Sequence, residues 1–265
     1  MIDVTTMIDY VLNYTGQEKL HYIGHSQGGT VFLVMASMRP EYNEKLASVN
    51  LLAGVGYMDH FPNTQLSVVA RLTDIIYGFA VNTGLVEVYS LDFLSTLDNG
   101  ESSVSRRTSD SCLGASRYNY LCELIGIQHI MRSDIGNEDE SDEISIFGGA
   151  GLKQIAHYGQ NIRDSSFRRW NYGFFRNLGI YNSREPPRYD LSLITANVTM
   201  HYTIGDNLLD ERDVLAMAAD MPNCRVRRVA RDDFSHEDFI AAEDSRDLVN
   251  IYIIEDIREV SGYET

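Results

Sequence analysis

Gly24-His25-Ser26-Gln27-Gly28 sets a serine between small residues, directly after the run Leu20-His21-Tyr22-Ile23 and just before an apolar stretch from Thr30 to Met38. A G-x-S-x-G pattern is what a nucleophile elbow needs, because the chain must turn sharply from strand to helix and only small neighbours leave room for the turn. The bare pattern arises by chance in roughly one chain in ten of this length. The strand before it and the helix after it are what make it informative. A serine so placed points out above a sheet, and the backbone N–H of Gln27, at the helix start, is available to a developing oxyanion.

A serine hydroxyl needs a base within hydrogen-bond reach, and the base needs an orienting carboxylate. Asp206 follows the strand-like run Val198 to Ile204, in Gly205-Asp206-Asn207-Leu208-Leu209-Asp210, and His236 follows the next such run, in Asp233-Phe234-Ser235-His236-Glu237-Asp238-Phe239. Both therefore fall in loops at the C-terminal ends of strands, where the sites of parallel sheets collect. The rivals are Asp210, Asp213 and Asp238 for the acid and His201 for the base. His201 sits inside a strand pattern, where an ordinary core histidine is expected. The alternative for Asp206 is a loop carboxylate that caps the next helix, a role Asp210 fits better.

The elements that must hold these residues read as parallel α/β. Val4, Met7, Ile8, Val11 and Leu12 recur at helical spacing, with Asp3 or Thr5 as candidate cap and Gly16 past the end. The strand Leu20 to Ile23 is broken by Gly24, the buried helix from Thr30 ends at Arg39-Pro40, and Ala47 to Ala53 forms the next strand. From about residue 57 to 190 the sequence turns aromatic-rich and mostly helical, interrupted by the acidic run Asn137 to Glu143, which reads as a solvated loop. Pro186-Pro187 marks the boundary, after which strands at Val198 to Ile204 and Arg225 to Val229 precede a final helix, Asp247 to Val260, with Leu248, Ile251, Ile254 and Ile257 on one face. The expected division is residues 1–56 and 191–265 as two parts of one core and residues 57–190 as an inserted cap.

Composition excludes other classes. The 265 residues carry 22 Lys and Arg against 38 Asp and Glu, a formal charge of −16, so neither a nucleic-acid partner nor polybasic docking on anionic lipid is expected. The longest apolar stretches fall short of the roughly 18 residues that span a bilayer, and the first residues carry no leader pattern. No cofactor and no metal site is expected, since no His/Cys cluster has ligand spacing. Cys112 and Cys122 bracket a short segment that a local bridge could close; three reduced thiols, Cys224 included, fit the spacing equally.

The same residues resemble the acid lipases, the group of gastric and lysosomal acid lipases and their insect relatives. The elbow with Leu20 to Ile23, the segments around Asp206 and His236, Tyr14-Thr15-Gly16-Gln17, the Cys112 and Cys122 pair, His157-Tyr158, Phe167 to Gly173 and Pro186-Pro187 carry the resemblance. It implies an α/β-hydrolase fold and hydrolysis of neutral lipid esters, triacylglycerols or sterol esters, at a lipid-water interface. Ser26 would be nucleophile, His236 general base and acid, and Asp206 the group that orients it. It further implies a Cys112–Cys122 disulfide, glycosylation at Asn13 and Asn197, and a secreted or lysosomal product. Two departures stand out. The family's His-Gly dipeptide, which supplies a second oxyanion N–H, occurs nowhere in this sequence. The chain also opens on the helix before the elbow strand, so the resemblance implies that the leader and first four strands are missing, with strands five to eight left and an unpaired edge at Leu20 to Ile23. The alternatives are a catalytically inactive lipid-binding relative and an esterase or thioesterase for smaller substrates.

Overall fold

The computed structural model describes residues 2–82, 87–88 and 150–262. Cys112, Cys122 and the acidic run 137–143 lie outside the described residues. The chain divides into two compact units, Met1–Pro62 with Ser165–Thr265, and Asn63–Asp164.

The first unit is built on a four-stranded parallel sheet. Helix α1 (Ile2–Thr15) precedes β1 (Leu20–His25), α2 (Gln27–Met38) carries the chain back to β2 (Leu46–Leu52), and the later strands β5 (Val198–Tyr202) and β6 (Cys224–Arg228) follow. The strand order is β1-β2-β5-β6, so the four strands of this sheet lie side by side in the order in which they occur along the chain. Parallel neighbours need long crossovers; α2 supplies the first and α7 (Glu211–Asp220) the last. β1 lies at one edge of the sheet, with its Ile23 half exposed.

The core explains why these segments fold as they do. Phe32, Leu33, Met35 and Ala36 of α2 are fully buried beside Val49 and Leu51 of β2 and Met200 of β5. A helix apolar nearly all round is expected to be buried in this way.

Two elements differ from the sequence reading. β1 runs through Gly24 to His25, and the break falls at Ser26. The last helix is α9 (Ile251–Ser261), preceded by one π turn at Arg246–Asn250. A π turn adds a residue and rotates everything after it, so Val249 and Ile253 are the buried residues, while Ile251 and Ile254 are exposed. The first unit also contains α6 (Phe174–Tyr181) and the short helix α8 (Asp238–Ala241).

The second unit contains α3 (Thr64–Ala70), α4 (Thr73–Asn82), the antiparallel pair β3 (Glu87–Val88) and β4 (Ala150–Gly151), and α5 (Leu152–Arg163). Asn63 caps α3 by accepting from the Leu66 N–H at 3.0 Å. Asp74 of α4 ties down α5 through Gln160 Nε2 at 2.9 Å and Arg163 Nη1 at 2.5 Å. None of the described helices is long and apolar enough to cross a membrane.

Candidate active site

Ser26 is the hinge of the turn between β1 and α2, with φ 52° and ψ −113°. A non-glycine residue at positive φ is strained by of order 1–3 kcal/mol and persists only where its surroundings hold it. Here they do. Its N–H donates to the Leu52 carbonyl at 2.9 Å, and its carbonyl accepts from the N–H groups of Gly29 and Thr30 at 2.9 and 3.2 Å. The turn folds Gly24 onto Gly28 so tightly that a Cβ on Gly24 would sit 2.7 Å from the Gly28 carbonyl carbon. Gly28 itself faces open space. The first N–H groups of α2, beginning with that of Gln27, have no acceptor within the helix.

His236 and Asp206 meet the serine. His236 Nε2 lies 2.7 Å from Ser26 Oγ, and His236 Nδ1 lies 2.8 Å from Asp206 Oδ2. With Asp206 ionised, Nδ1–H donates to the carboxylate, which leaves Nε2 to accept the serine hydroxyl proton. The other carboxylate oxygen accepts from the N–H groups of Leu208 and Leu209 at 2.7 and 3.0 Å, so the acid is fixed before the histidine reaches it. The side chains of His236 and Asp206 are 2% and 1% exposed, which keeps water from competing for either bond.

The rival residues are occupied elsewhere. Asp210 caps α7 through the Arg212 N–H, and Asp213 is gripped by His60 through backbone N–H and Nδ1 at 2.9 and 2.7 Å. Asp238 accepts from the Ser235 N–H at 2.8 Å and from Arg231 at 2.6 Å, which shapes the loop that carries His236. His201, inside β5, bonds Asn50 at 2.9 Å. Burial pushes the Cys224 thiol up to about 12, so it is no thiolate at neutral pH. Asn13, at the end of α1, and Asn197, just before β5, are both exposed. Among the described residues no group of three or more His, Cys, Asp or Glu side chains is placed to hold a metal ion.

Two supports escaped the sequence reading. The ring of His25 donates through Nε2–H to the carbonyl of His236 at 2.9 Å, and packs 5.1 Å from the His236 ring. Burial holds His25 below the usual histidine range, so the ring stays neutral. Thr203 Oγ1 donates to the Phe234 carbonyl at 2.7 Å and joins the acid loop to the histidine loop. The sequence offered His25 only as an elbow neighbour; a bond from a side chain to a backbone oxygen 211 residues away leaves no mark in spacing.

Comparison with known proteins agrees with this architecture. Residues 1–82 match the family model described as alpha/beta hydrolase fold. Lipase 1 of Drosophila melanogaster is 31% identical over 251 residues, which cover 94% of this chain and 54% of that protein. Lipase 3 of the same organism is 31% identical across 100% of this chain and 65% of its own length. Gastric triacylglycerol lipase of Rattus norvegicus is 26% identical over 92% of this chain and 59% of its own. The chain thus spans between about half and two thirds of the length of these relatives. Among solved structures, an epoxide hydrolase of Bacillus megaterium superposes with a TM-score of 0.51 at 14% identity, over 95% of this chain and 73% of that one.

Proposed function

We propose that this chain, an acid lipase-like α/β hydrolase, carries the serine ester hydrolase centre of a lipase and acts on neutral lipid esters, triacylglycerols or sterol esters. The observation that carries the reading is the unbroken line of hydrogen bonds from Ser26 Oγ through His236 to Asp206. In the first step Ser26 Oγ attacks the ester carbonyl carbon while His236 Nε2 takes its proton. Asp206, bonded to Nδ1–H, holds the imidazole in the required tautomer and stabilises the imidazolium that forms. The negative charge on the former carbonyl oxygen develops beside the N–H of Gln27. Collapse then expels the alcohol, which receives its proton from His236 and leaves an acyl group on Ser26. Water then attacks the acyl carbon while His236 takes its proton, and collapse breaks the bond to Ser26 Oγ, which receives that proton from His236 as the fatty acid leaves.

On this reading the region from about Tyr57 to Asp190 is an inserted cap, and Cys112 and Cys122, outside the described residues, form a disulfide. The exposed Asn13 and Asn197 are the glycan acceptors of a secreted or lysosomal product.

A fluorophosphonate probe tests the proposal. It should label the folded protein at Ser26, and the label should vanish in Ser26→Ala. Hydrolysis that rises with acyl-chain length would mark a lipase, a preference for short esters would mark a small-ester hydrolase, and a folded protein that resists the probe would sink both.

A further inference from the structure

Helix α6 is inside-out. Its one buried residue is Asn177, at 0% exposure, while Phe175 is 84% exposed and Phe174, Leu178 and Ile180 are each about half exposed. A surface helix normally buries its apolar stripe, so a helix of eight residues that does the reverse must be held by something else. Asn177 is that support. Its Oδ1 accepts from the Tyr172 N–H at 3.0 Å, and its Nδ2 donates to Asn171 Oδ1 at 2.8 Å and to the Arg184 carbonyl at 2.9 Å. The amide clamps the turns on both sides of α6, so the apolar side chains are presented on a fixed platform.

Charge then says what the platform fits. Between Phe167 and Tyr189 stand Arg168, Arg169, Arg176, Arg184 and Arg188 against a single carboxylate, Glu185, in a chain whose formal charge is −16. Glu185 is taken by Arg168 at 2.6 Å. Arg184 lies over the exposed Phe174 ring at 5.3 Å and Arg176 over the half-buried Tyr172 ring at 5.5 Å, so cations stand beside the rings of α6 and of the turn before it. The same stretch holds Trp170, the only tryptophan of the chain. Apolar rings that enter the acyl boundary, with guanidinium groups beside them at headgroup height, are the pattern of an interfacial helix.

We infer that α6 and its flanking turns dock on a lipid surface that carries anionic headgroups. The global charge, which argued against such docking, averages over a local patch of opposite sign. Docking is separate from ester cleavage, so it is read by binding alone.

The test is co-sedimentation of the full chain with vesicles of phosphatidylcholine, with and without phosphatidylserine, at low and high salt. Wild type should bind the anionic vesicles roughly tenfold more tightly and lose that preference at high salt. Phe175→Ser should weaken binding to both vesicle types by roughly tenfold, and the double variant R176Q/R184Q should erase the anionic preference. Phe79→Ser, a change at another exposed ring, in α4, should leave binding unchanged. The inference is overturned if the α6 variants bind as wild type does. It is equally overturned if wild type is a dimer that Phe175→Ser splits, because the patch then serves a second copy. Cleavage of a dissolved short ester, measured in parallel, should be unaffected by Phe175→Ser, which keeps failure of docking distinct from failure of the hydrolase reading.

Discussion

His236 and His201 are equally buried, each 2% exposed, and they stand in contrasting surroundings. His236 stands in a loop beyond β6 with a carboxylate on one nitrogen and a serine hydroxyl on the other. His201 stands inside β5, where Nε2 meets the Asn50 amide oxygen and Nδ1 has no partner among the described residues. Asn50 in turn donates to Asp256 of α9 at 3.2 Å. Burial pushes His201 down to about 4, and Arg227 and Arg225 push the same way against the single opposing Asp256. The difference teaches that burial does not equip a histidine for proton transfer. A carboxylate that can share the charge does, and the loop at a strand's C-terminal end is where one can be brought to it.

The largest expected effect breaks the pair apart. On the proposed reading, His236→Ala should lower ester hydrolysis by on the order of 10^6-fold, since removing one member of such a triad disables the rest. His201→Gln should change the rate by less than about threefold, within the range expected away from the reacting atoms. Rates on a dissolved ester, with folding checked by circular dichroism, decide it, and comparable losses in the two variants would dissolve the distinction.

The carboxylates nearest the two histidines, Asp206 and Asp256, sharpen the comparison at a smaller scale. Asp206→Asn should keep the geometry but offer His236 an amide, favour the wrong tautomer and lower kcat roughly 10^4-fold. Asp256→Asn, in the polar layer, should leave kcat near wild type. Steady-state kinetics of both variants check this.

How much of this was legible follows the same line. The elbow could be read because backbone crowding dictates residue type, and Gly24 is glycine for a reason that a Cβ makes visible. Asp206 and His236 could be read because chain order and strand ends fix where a carboxylate and a base must fall. The alternation that puts Asn50 and His201 on one face of the sheet and Val49 and Met200 on the other was also in the pattern, but not that the face would be polar. That depends on α9, which brings Asp256 to Arg225, and on the π turn before it, which brings the Leu248 carbonyl to Arg227; periodicity cannot foresee that turn, which sets the phase of α9. The His25 bond to the His236 carbonyl was hidden for the same reason, as a product of tertiary placement.

The polar layer should report itself in acid. The His201 pKa in the folded chain, about 4, lies below its unfolded value of 6.5. The unfolded chain therefore takes the proton first as pH falls. The neutral ring costs nothing above pH 6.5, and stability is lost progressively between about 6.5 and 4, by an order of 3 kcal/mol. His201→Gln cannot titrate, so its stability should fall less between pH 7 and pH 4 by up to that amount. Urea unfolding at the two pH values measures it, and parallel curves for wild type and variant would show that the layer is not the seat of acid sensitivity.

The smallest effect concerns how the reaction end is held, by backbone approach where the polar layer is held by side chains. Gly28 and Gly29 are neighbours at the start of α2 and differ only in what faces them. A Cβ on Gly29 would lie 2.4 Å from the Gly54 Cα, a backbone atom that has no rotamer with which to yield, whereas a Cβ on Gly28 meets nothing within 4 Å. Gly29→Ala should therefore destabilise by about 2 kcal/mol through overpacking. Gly28→Ala should stabilise by up to about 1 kcal/mol, because alanine loses less entropy than glycine when the helix forms. Thermal melts of the two variants should move in opposite directions. If both fell together, helix entry at Ser26 would depend on glycine for flexibility rather than for space, and the contrast between a backbone-packed reaction end and a side-chain-bonded interior would lose its basis.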